Sequence, residues 1–274
     1  MQLVDIGINL MNPSYDRDRD AVVTAATAAG VSPLIVTGSS EKSSRDAALY
    51  VRAFNEGLPT GNPAALYATA GVHPHEAKNC GSGTINSLRK LASLQEGGEI
   101  GAVAIGECGL DYNRDFSPRD VQRRWFVKQI ELAAELSLPL FLHERDAHED
   151  FAKILADHIN AVPAAVVHCF TGNAEALERY LSLGCYIGIT GWLCDERRGQ
   201  HLRELVKTIP ADRLMLETDG PYLLPRDLPQ KIKNRRNEPR FLPHIAQVAA
   251  QCLGKDPAVL AAETFANSRN FFGI

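Results

Sequence analysis

The sequence has no run of 18 apolar residues, no CxxC pair, no excess of positive charge and no GxGxxG turn after its first apolar run. Each absence removes a class of protein. Without a long apolar run there is no candidate membrane-spanning helix. The opening Met1-Gln-Leu-Val-Asp-Ile lacks the basic-then-apolar pattern of a secretory leader, so the expected location is the cytoplasm, away from membranes. The six cysteines (Cys80, Cys108, Cys169, Cys185, Cys194, Cys252) are scattered, which points to reduced thiols and against both a disulfide framework and a thiolate metal site. Lys and Arg total 29 against 33 for Asp and Glu, a net charge of −4, so no global positive field draws the chain onto nucleic acid. Any contact with phosphates must be local. One segment offers it: Arg226 to Arg240 holds Arg226, Lys231, Lys233, Arg235, Arg236 and Arg240 against Asp227 and Glu238, although a solvated basic loop reads the same way.

What is present is size and order. At 274 residues, 45% of them hydrophobic, the chain can bury a large core, and residues 1–274 are expected to fold as one domain. Eight strand-length apolar runs alternate with stretches of helical periodicity: Leu3–Ile8, Pro33–Thr37, Leu66–Ala70, Ala102–Gly106, Pro139–Leu142, Ala165–Val167, Cys185–Ile189 and Leu214–Leu216. The clearest helix is Pro118–Leu136, with Ser117 as N-cap, Pro118 in the first helical position and Phe126, Ile130 and Ala133 on one face. Others are Asp16–Ala29, Ser43–Phe54, Ala147–His158, Asn173–Leu183, Gln200–Ile209 and Leu242–Cys252. Segments 81–98 and 226–239 read as irregular or inserted. Strands apolar on both faces and separated by helices imply a parallel sheet covered by helices. Eight repeats, with no dinucleotide fingerprint, favour closure into a (β/α)8 TIM barrel of the α/β class.

Barrel active sites lie at the C-terminal ends of the strands, and polar residues gather there in this sequence. Asp5, Gly7 and Asn9 run through the end of strand one. Strand three leads into Gly71-Val72-His73-Pro74-His75, strand four into Gly106-Glu107-Cys108-Gly109-Leu110-Asp111, and strand five into His143-Glu144-Arg145-Asp146. Strand six leads into His168-Cys169, and strand eight into Glu217-Thr218-Asp219. A single histidine after an apolar run is ordinarily a turn or core residue. Three successive strands ending in Glu107, His143 and His168 could instead converge on one ion, since neighbouring strands lie about 4.8 Å apart. Two imidazoles and a carboxylate suit a divalent site with positions open to water and substrate. Cys108 and Cys169 follow two of these residues and should face away from them.

With these residues in view, the chain resembles the TatD family of metal-dependent deoxyribonucleases, among the amidohydrolase-like barrels. The resemblance runs from Asp5 to Asn267 and is carried by GVHPH (71–75), GECGLD (106–111), LHERDAH (142–148), HCFTG (168–172), GITGW (188–192), ETDGPYL (217–223) and RRNEP (235–239). It implies that Glu107, His143 and His168 bind a divalent cation, with Mg²⁺ first and Mn²⁺ or Zn²⁺ as other candidates. It implies that Asp219 helps to bind metal or position the attacking water. The implied activity is a 3′-to-5′ exonuclease acting on single-stranded DNA, and conceivably RNA, with no protein partner required. Many relatives carry His-x-His at the end of strand one, where this chain has Gly7 and Asn9. A branch with a DIGxNL-like start shares that feature, and it puts a second metal position in question.

The remaining roles are expectations. His75 can act at the leaving group and His73 at a phosphoryl oxygen, or GVHPH can be a turn fixed by Pro74. Arg145 can clamp phosphate, or pair with Asp146 or Asp111. Arg235 and Arg236 are candidate phosphate contacts. Tyr112, Phe170, Trp192 and Tyr222 can stack on bases or pack beneath loops. Hydrolysis of another ester or amide, such as an aminoacyl ester on tRNA, is the competing enzymatic reading; a barrel that only binds nucleic acid is the non-enzymatic one.

Overall fold

The structure is a computed structural model that describes residues 1–59, 65–93 and 101–274. Among the described residues, eight parallel strands follow one another around a single sheet: β1 (Leu3–Ile8), β2 (Val31–Val36), β3 (Leu66–Ala70), β4 (Ala104–Asp111), β5 (Leu140–Arg145), β6 (Ala165–Val167), β7 (Tyr186–Ile189) and β8 (Leu214–Leu216). The helices between them are α1 (Arg19–Ala28), α2 (Glu41–Glu56), α3 (Thr84–Ala92), α4 (Arg119–Leu136), α5 (His148–His158), α6 (Ala174–Ser182) and α7 (Gln200–Leu205), followed by α8 (Leu242–Leu253) and α9 (Pro257–Phe272). The sheet closes where the Asp219 amide donates to Gly7 O and the Asn9 amide to Gly220 O, both at 2.9 Å. The (β/α)8 barrel expected from the sequence is therefore the observed fold. None of the described helices is long and apolar enough to cross a membrane.

The barrel wall separates two apolar cores. Val4, Ile6, Ile35, Ala104, Phe141, Val166 and Met215 fill the interior, and Phe271 and Phe272 of α9 close it from the end where the strands begin. Leu34, Ile105, Cys108, Leu142 and Ile187 belong to the larger core between strands and helices. This division follows from the alternation of side chains along each strand. Helix α9 escaped the sequence reading, although Asp256 caps it by accepting from the Ala258 amide at 2.7 Å, Pro257 begins it, and Gly273 ends it in the left-handed region.

The departures from expectation matter for the site. Strands β4 and β5 run on to Asp111 and Arg145, pairing Gly109 with His143 and Asp111 with Arg145, so Glu107 and His143 lie within the sheet and not beyond it. Gly106 and Gly109, at φ +141° and +145°, allow this: a Cβ on either would collide with Phe141 O or His143 O of the neighbouring strand. Ser117 does not cap α4; its hydroxyl donates to His75 O at 2.9 Å and accepts from the Lys78 amide at 3.0 Å, tying the turn after β3 to the start of α4. Segment 81–98 contains α3, and its residues 94–98 lie outside the described residues. Segment 226–239 is irregular, as expected, until a short 3-10 turn begins at Pro239.

Asp5 braces the seam between β1 and β8. Its carboxylate accepts from the Thr218 amide at 2.9 Å, the Thr218 hydroxyl at 2.5 Å and the Gly7 amide at 3.3 Å. Burial pushes the acid up to about 7 in spite of those hydrogen bonds. Asp5→Ala leaves the Thr218 donors unmet and should cost about 2–4 kcal/mol in urea unfolding of the metal-free protein. An acid raised in the folded state supplies stability at low pH that is lost as pH climbs from about 4 through about 7. Asp5→Asn should remove that part of the pH dependence; an unchanged profile would count against the seam as its source.

Candidate metal centre at the mouth of the barrel

Glu107 is 6% exposed, and three imidazoles converge on its Oε1. His168 Nε2 lies at 2.8 Å, His143 Nδ1 at 3.1 Å and His73 Nε2 at 3.4 Å. The chain reaches this arrangement because a register shift between Ile105 and Cys108 turns Glu107 inward, after which Glu107, Gly109 and Asp111 share the inner face. Cys108 and Leu110 are left in the outer core. Burial alone would raise the Glu107 acid; the neighbouring His73, His168 and His143 outweigh it and hold the carboxyl well below its usual range. His168 is correspondingly held well above its ordinary value by Glu107 and Glu217, against the opposing effect of burial.

Each imidazole has one nitrogen toward Glu107 and the other turned elsewhere. His168 Nδ1 faces Glu217 Oε2 at 3.3 Å, and the ring stacks on Phe141 with centroids 4.6 Å apart. His143 Nε2 is buried, 3.4 Å from Asp111 Oδ2, without a well-formed hydrogen bond. His73 Nδ1 accepts from the His75 amide at 3.1 Å, so its proton sits on Nε2 when the ring is neutral. Neutral it is, because burial drives its pKa down to about 3. His75 reaches Asp111 Oδ2 at 2.7 Å and packs on the exposed Phe116 ring.

Asp219 closes the other side, its Oδ1 accepting from Asn9 Nδ2 at 2.9 Å. Burial, reinforced by Glu107 and Glu217, pushes this acid up to about 7. Glu217, which sequence reasoning passed over, is fully buried beside it and accepts from the Cys169 amide. Gly7 and Gly188 make room for it, since a Cβ on either would meet a Glu217 carboxylate oxygen. Asp111 was also passed over as a site residue. Burial would raise it, yet the nearby His143 imidazole and hydrogen bonds with His75 and from the Arg114 amide hold it well below the usual carboxylate range. Its position four residues after Glu107 on the same strand was the available signal.

The donor set suits a divalent cation. His143 Nδ1 and His168 Nε2 each approach Glu107 Oε1, and the second nitrogens of both imidazoles face carboxylates, the arrangement that orients histidine ligands. His73, Glu107 and His143 also offer ligand atoms all within 4.8 Å of one another.

The basic and aromatic residues separate into two groups. Arg236, expected to meet phosphate, is committed elsewhere: it pairs with Asp18 at 2.7 Å and Glu238 at 2.8 Å, and lies over the Tyr15 ring. Asn237 of the same motif donates to Thr218 O and accepts at its carbonyl from Tyr15. RRNEP therefore clasps the inserted loop to the seam. Phe170 is buried in the outer core, and Tyr112 donates to Asp150. Arg145 is exposed and has no ion pair among the described residues. It lines a depression of about 580 Å³ shared with Trp192 and Arg198. The latter two also line a wider one of about 870 Å³ with Tyr222, Lys231 and Arg235. The two depressions adjoin at Trp192 and Arg198, and together they form a trough among the loops that follow β5 to β8.

A buried carboxylate ringed by imidazoles at the C-terminal mouth of a (β/α)8 barrel defines a class, the metal-dependent barrel hydrolases. Comparison with known proteins narrows it. The chain belongs to the TatD related DNase family, whose sequence model matches residues 4–273. It is 50% identical to the 3′-5′ ssDNA/RNA exonuclease TatD of Rahnella sp. over 99% of this chain and 98% of that one. It is 47% identical to the exonuclease of the same name from Escherichia coli over 99% of each. The crystal structure of a TatD family hydrolase from Entamoeba histolytica superposes with a TM-score of 0.87 at 28% identity, over 99% of this chain and 98% of that one.

Two substitutions test the geometry. Asp111→Ala frees His143 Nε2 and should weaken Mn²⁺ binding ~10- to 100-fold by calorimetry, with the fold intact by circular dichroism. Unaltered affinity would show that Asp111 does not orient His143. Gly7→Ala should displace Glu217 and weaken the same binding; a tolerated alanine would refute the packing argument.

Proposed function

We propose that this protein is a metal-dependent 3′-to-5′ exonuclease that hydrolyses phosphodiester bonds of single-stranded DNA, and of RNA, in DNA repair or turnover in the cytoplasm. The observation that carries the reading is the convergence of His143 and His168 on Glu107 at the C-terminal mouth of the barrel, on the face whose loops line basic, aromatic depressions. Kinship with exonucleases that match the chain end to end supports the substrate class. The six free cysteines accord with a reducing compartment.

Glu107, His143, His168 and Asp219 would hold the cation, Mg²⁺ being the first candidate. When bound, it supplies Lewis acidity toward a phosphoryl oxygen and acidifies the attacking water. Asp219, hydrogen-bonded to Asn9 on the other side of the centre, would take the water's proton. His73 keeps Nε2–H as a donor aimed into the site, suited to a non-bridging oxygen, while Asp111 holds His75 near the leaving side. In the trough, Arg145 and Arg235 would meet backbone phosphates, and Trp192 and Tyr222 would stack on bases.

Digestion of a 5′-labelled single strand with Mg²⁺, Mn²⁺, Zn²⁺ or EDTA tests this. Stepwise shortening should need metal, and Glu107→Ala should lose more than the ~100-fold that removing a ligand-orienting group costs. Equal inertness of wild type and variant with every metal would overturn the nuclease reading. Arg235→Ala should lessen the salt dependence of single-strand binding, lowering the slope of log K against log salt by ~0.7. Arg236→Ala should instead destabilise the fold by about 1–3 kcal/mol, read by urea unfolding, as its charged hydrogen bonds are lost.

A further inference from the structure

A second group of ligand-type side chains comes together away from the Glu107 centre. Cys194 ends the short 3-10 helix Gly191–Cys194 that follows β7, Asp227 stands at the start of the inserted loop, and His244 lies in the first turn of α8. Their ligand atoms all lie within 4.8 Å of one another. His244 Nε2 is 2.6 Å from Asp227 Oδ1, and the two side chains are 21% and 35% exposed, whereas Cys194 is fully buried. The sulfur faces a half-open rim formed by an imidazole and a carboxylate.

We propose that Cys194, Asp227 and His244 form a second divalent-cation site, suited to Zn²⁺ or another thiophilic ion, which fastens the basic loop to the barrel. The scattered cysteine spacing gave no hint of it, because the three donors come from segments brought together only by the fold. Thiolate, carboxylate and neutral imidazole are three of the donor types zinc takes, and solvent at the rim supplies a fourth position. Thiolate and carboxylate together neutralise a dication, with the Cys194 proton leaving to solvent as the S–metal bond forms. Bond lengths of about 2.0–2.3 Å in a tetrahedral site place donors roughly 3.3–3.8 Å apart. Opening the His244–Asp227 contact by about an ångström reaches that spacing, and an imidazole and a carboxylate at a solvent rim can move that far. Cys108, Cys185 and Cys194 all border the apolar core, but among the described residues Cys194 is the one cysteine that also stands in such a group.

The consequence falls on the trough. The loop that Asp227 begins carries Lys231 and Arg235, which line it. Arg226 already reaches across the same junction, 3.8 Å from Asp195 and 3.7 Å from Glu196. An ion on Cys194, Asp227 and His244 would add a fixed link beside these loose contacts, so its occupancy would set how firmly the basic residues are held.

Titration with Co²⁺ reads this site separately from the Glu107 centre, whose proposed ligands Glu107, His143, His168 and Asp219 include no sulfur. Wild type and Glu107→Ala should both develop a near-ultraviolet sulfur-to-cobalt charge-transfer band that Zn²⁺ abolishes. Cys194→Ser should lack it and Cys252→Ser should keep it. His244→Gln, at the exposed rim, should weaken the binding by at least ~10-fold with unchanged circular dichroism, and it decides the matter if Cys194→Ser fails to fold. No band in wild type, a band that survives Cys194→Ser, or undiminished affinity in His244→Gln overturns the proposal. Zn²⁺ should also slow tryptic cleavage after Lys231, Lys233 and Arg235 in Glu107→Ala; unaltered cleavage would overturn the fastening of the loop. Because these readouts use Glu107→Ala and no nucleic acid, they stand or fall independently of the exonuclease reading.

Discussion

A carboxylate taken out of water must be met by donors or cations, and at Glu107 that demand organises the mouth of the barrel. Three imidazoles approach one of its oxygens within 3.4 Å. None could do so on an idealised sheet. Gly106 and Gly109 let β4 run so close to β5 that His143 stands beside Glu107, and the register shift in β4 points the carboxylate inward while Cys108 fills the outer core. The cost of burying the charge is offset only while its partners are held, which is why Asp111 and Glu217, themselves buried, stand behind two of the rings.

The presence of Gly7 and Asn9 at the end of β1 has a physical reading in the same terms. Gly7 leaves the volume that Glu217 occupies, and Asn9 supplies a neutral donor to Asp219. A side chain at position 7 and the observed place of Glu217 exclude each other. This arrangement therefore puts a carboxylate behind His168 and no imidazole at the end of β1. It also makes Asp219 the main link between the seam and the centre, since its amide joins β8 to Gly7 while its side chain faces the site.

Much of this could be read from the chain itself. Alternation of short apolar runs and helical stretches was enough for the barrel, and the polar residues ending strands four, five and six pointed to Glu107, His143 and His168, whose two imidazoles both approach Glu107 Oε1. What escaped has a common cause. Arg236 looks like Arg235 in sequence, but its partners Asp18 and Glu238 include one that is 218 residues distant, and no local pattern discloses that. Ser117 looks like a helix cap and serves His75 instead. Glu217 was hidden because its role depends on two glycines on other strands. Asp111, by contrast, was legible from strand periodicity and was missed by ending β4 too early, at Gly106.

The charge of the mouth explains why a chain of net charge −4 can still be read as a nuclease. Glu107, Asp111, Glu217 and Asp219 put four carboxyl groups around a small volume, a place a phosphodiester would avoid unless a cation stood there. Attraction must then be supplied locally and outside that volume. On the proposed function Arg145, Arg198, Lys231 and Arg235, which line the two depressions, would supply it, and Trp192 and Tyr222 would offer faces for bases. Separating the two functions has an advantage over a uniformly basic cleft. On the proposed function the trough would hold any single strand by its backbone, whereas the acidic mouth would admit a phosphate only in company with the metal, so that binding and hydrolysis would be governed by different residues.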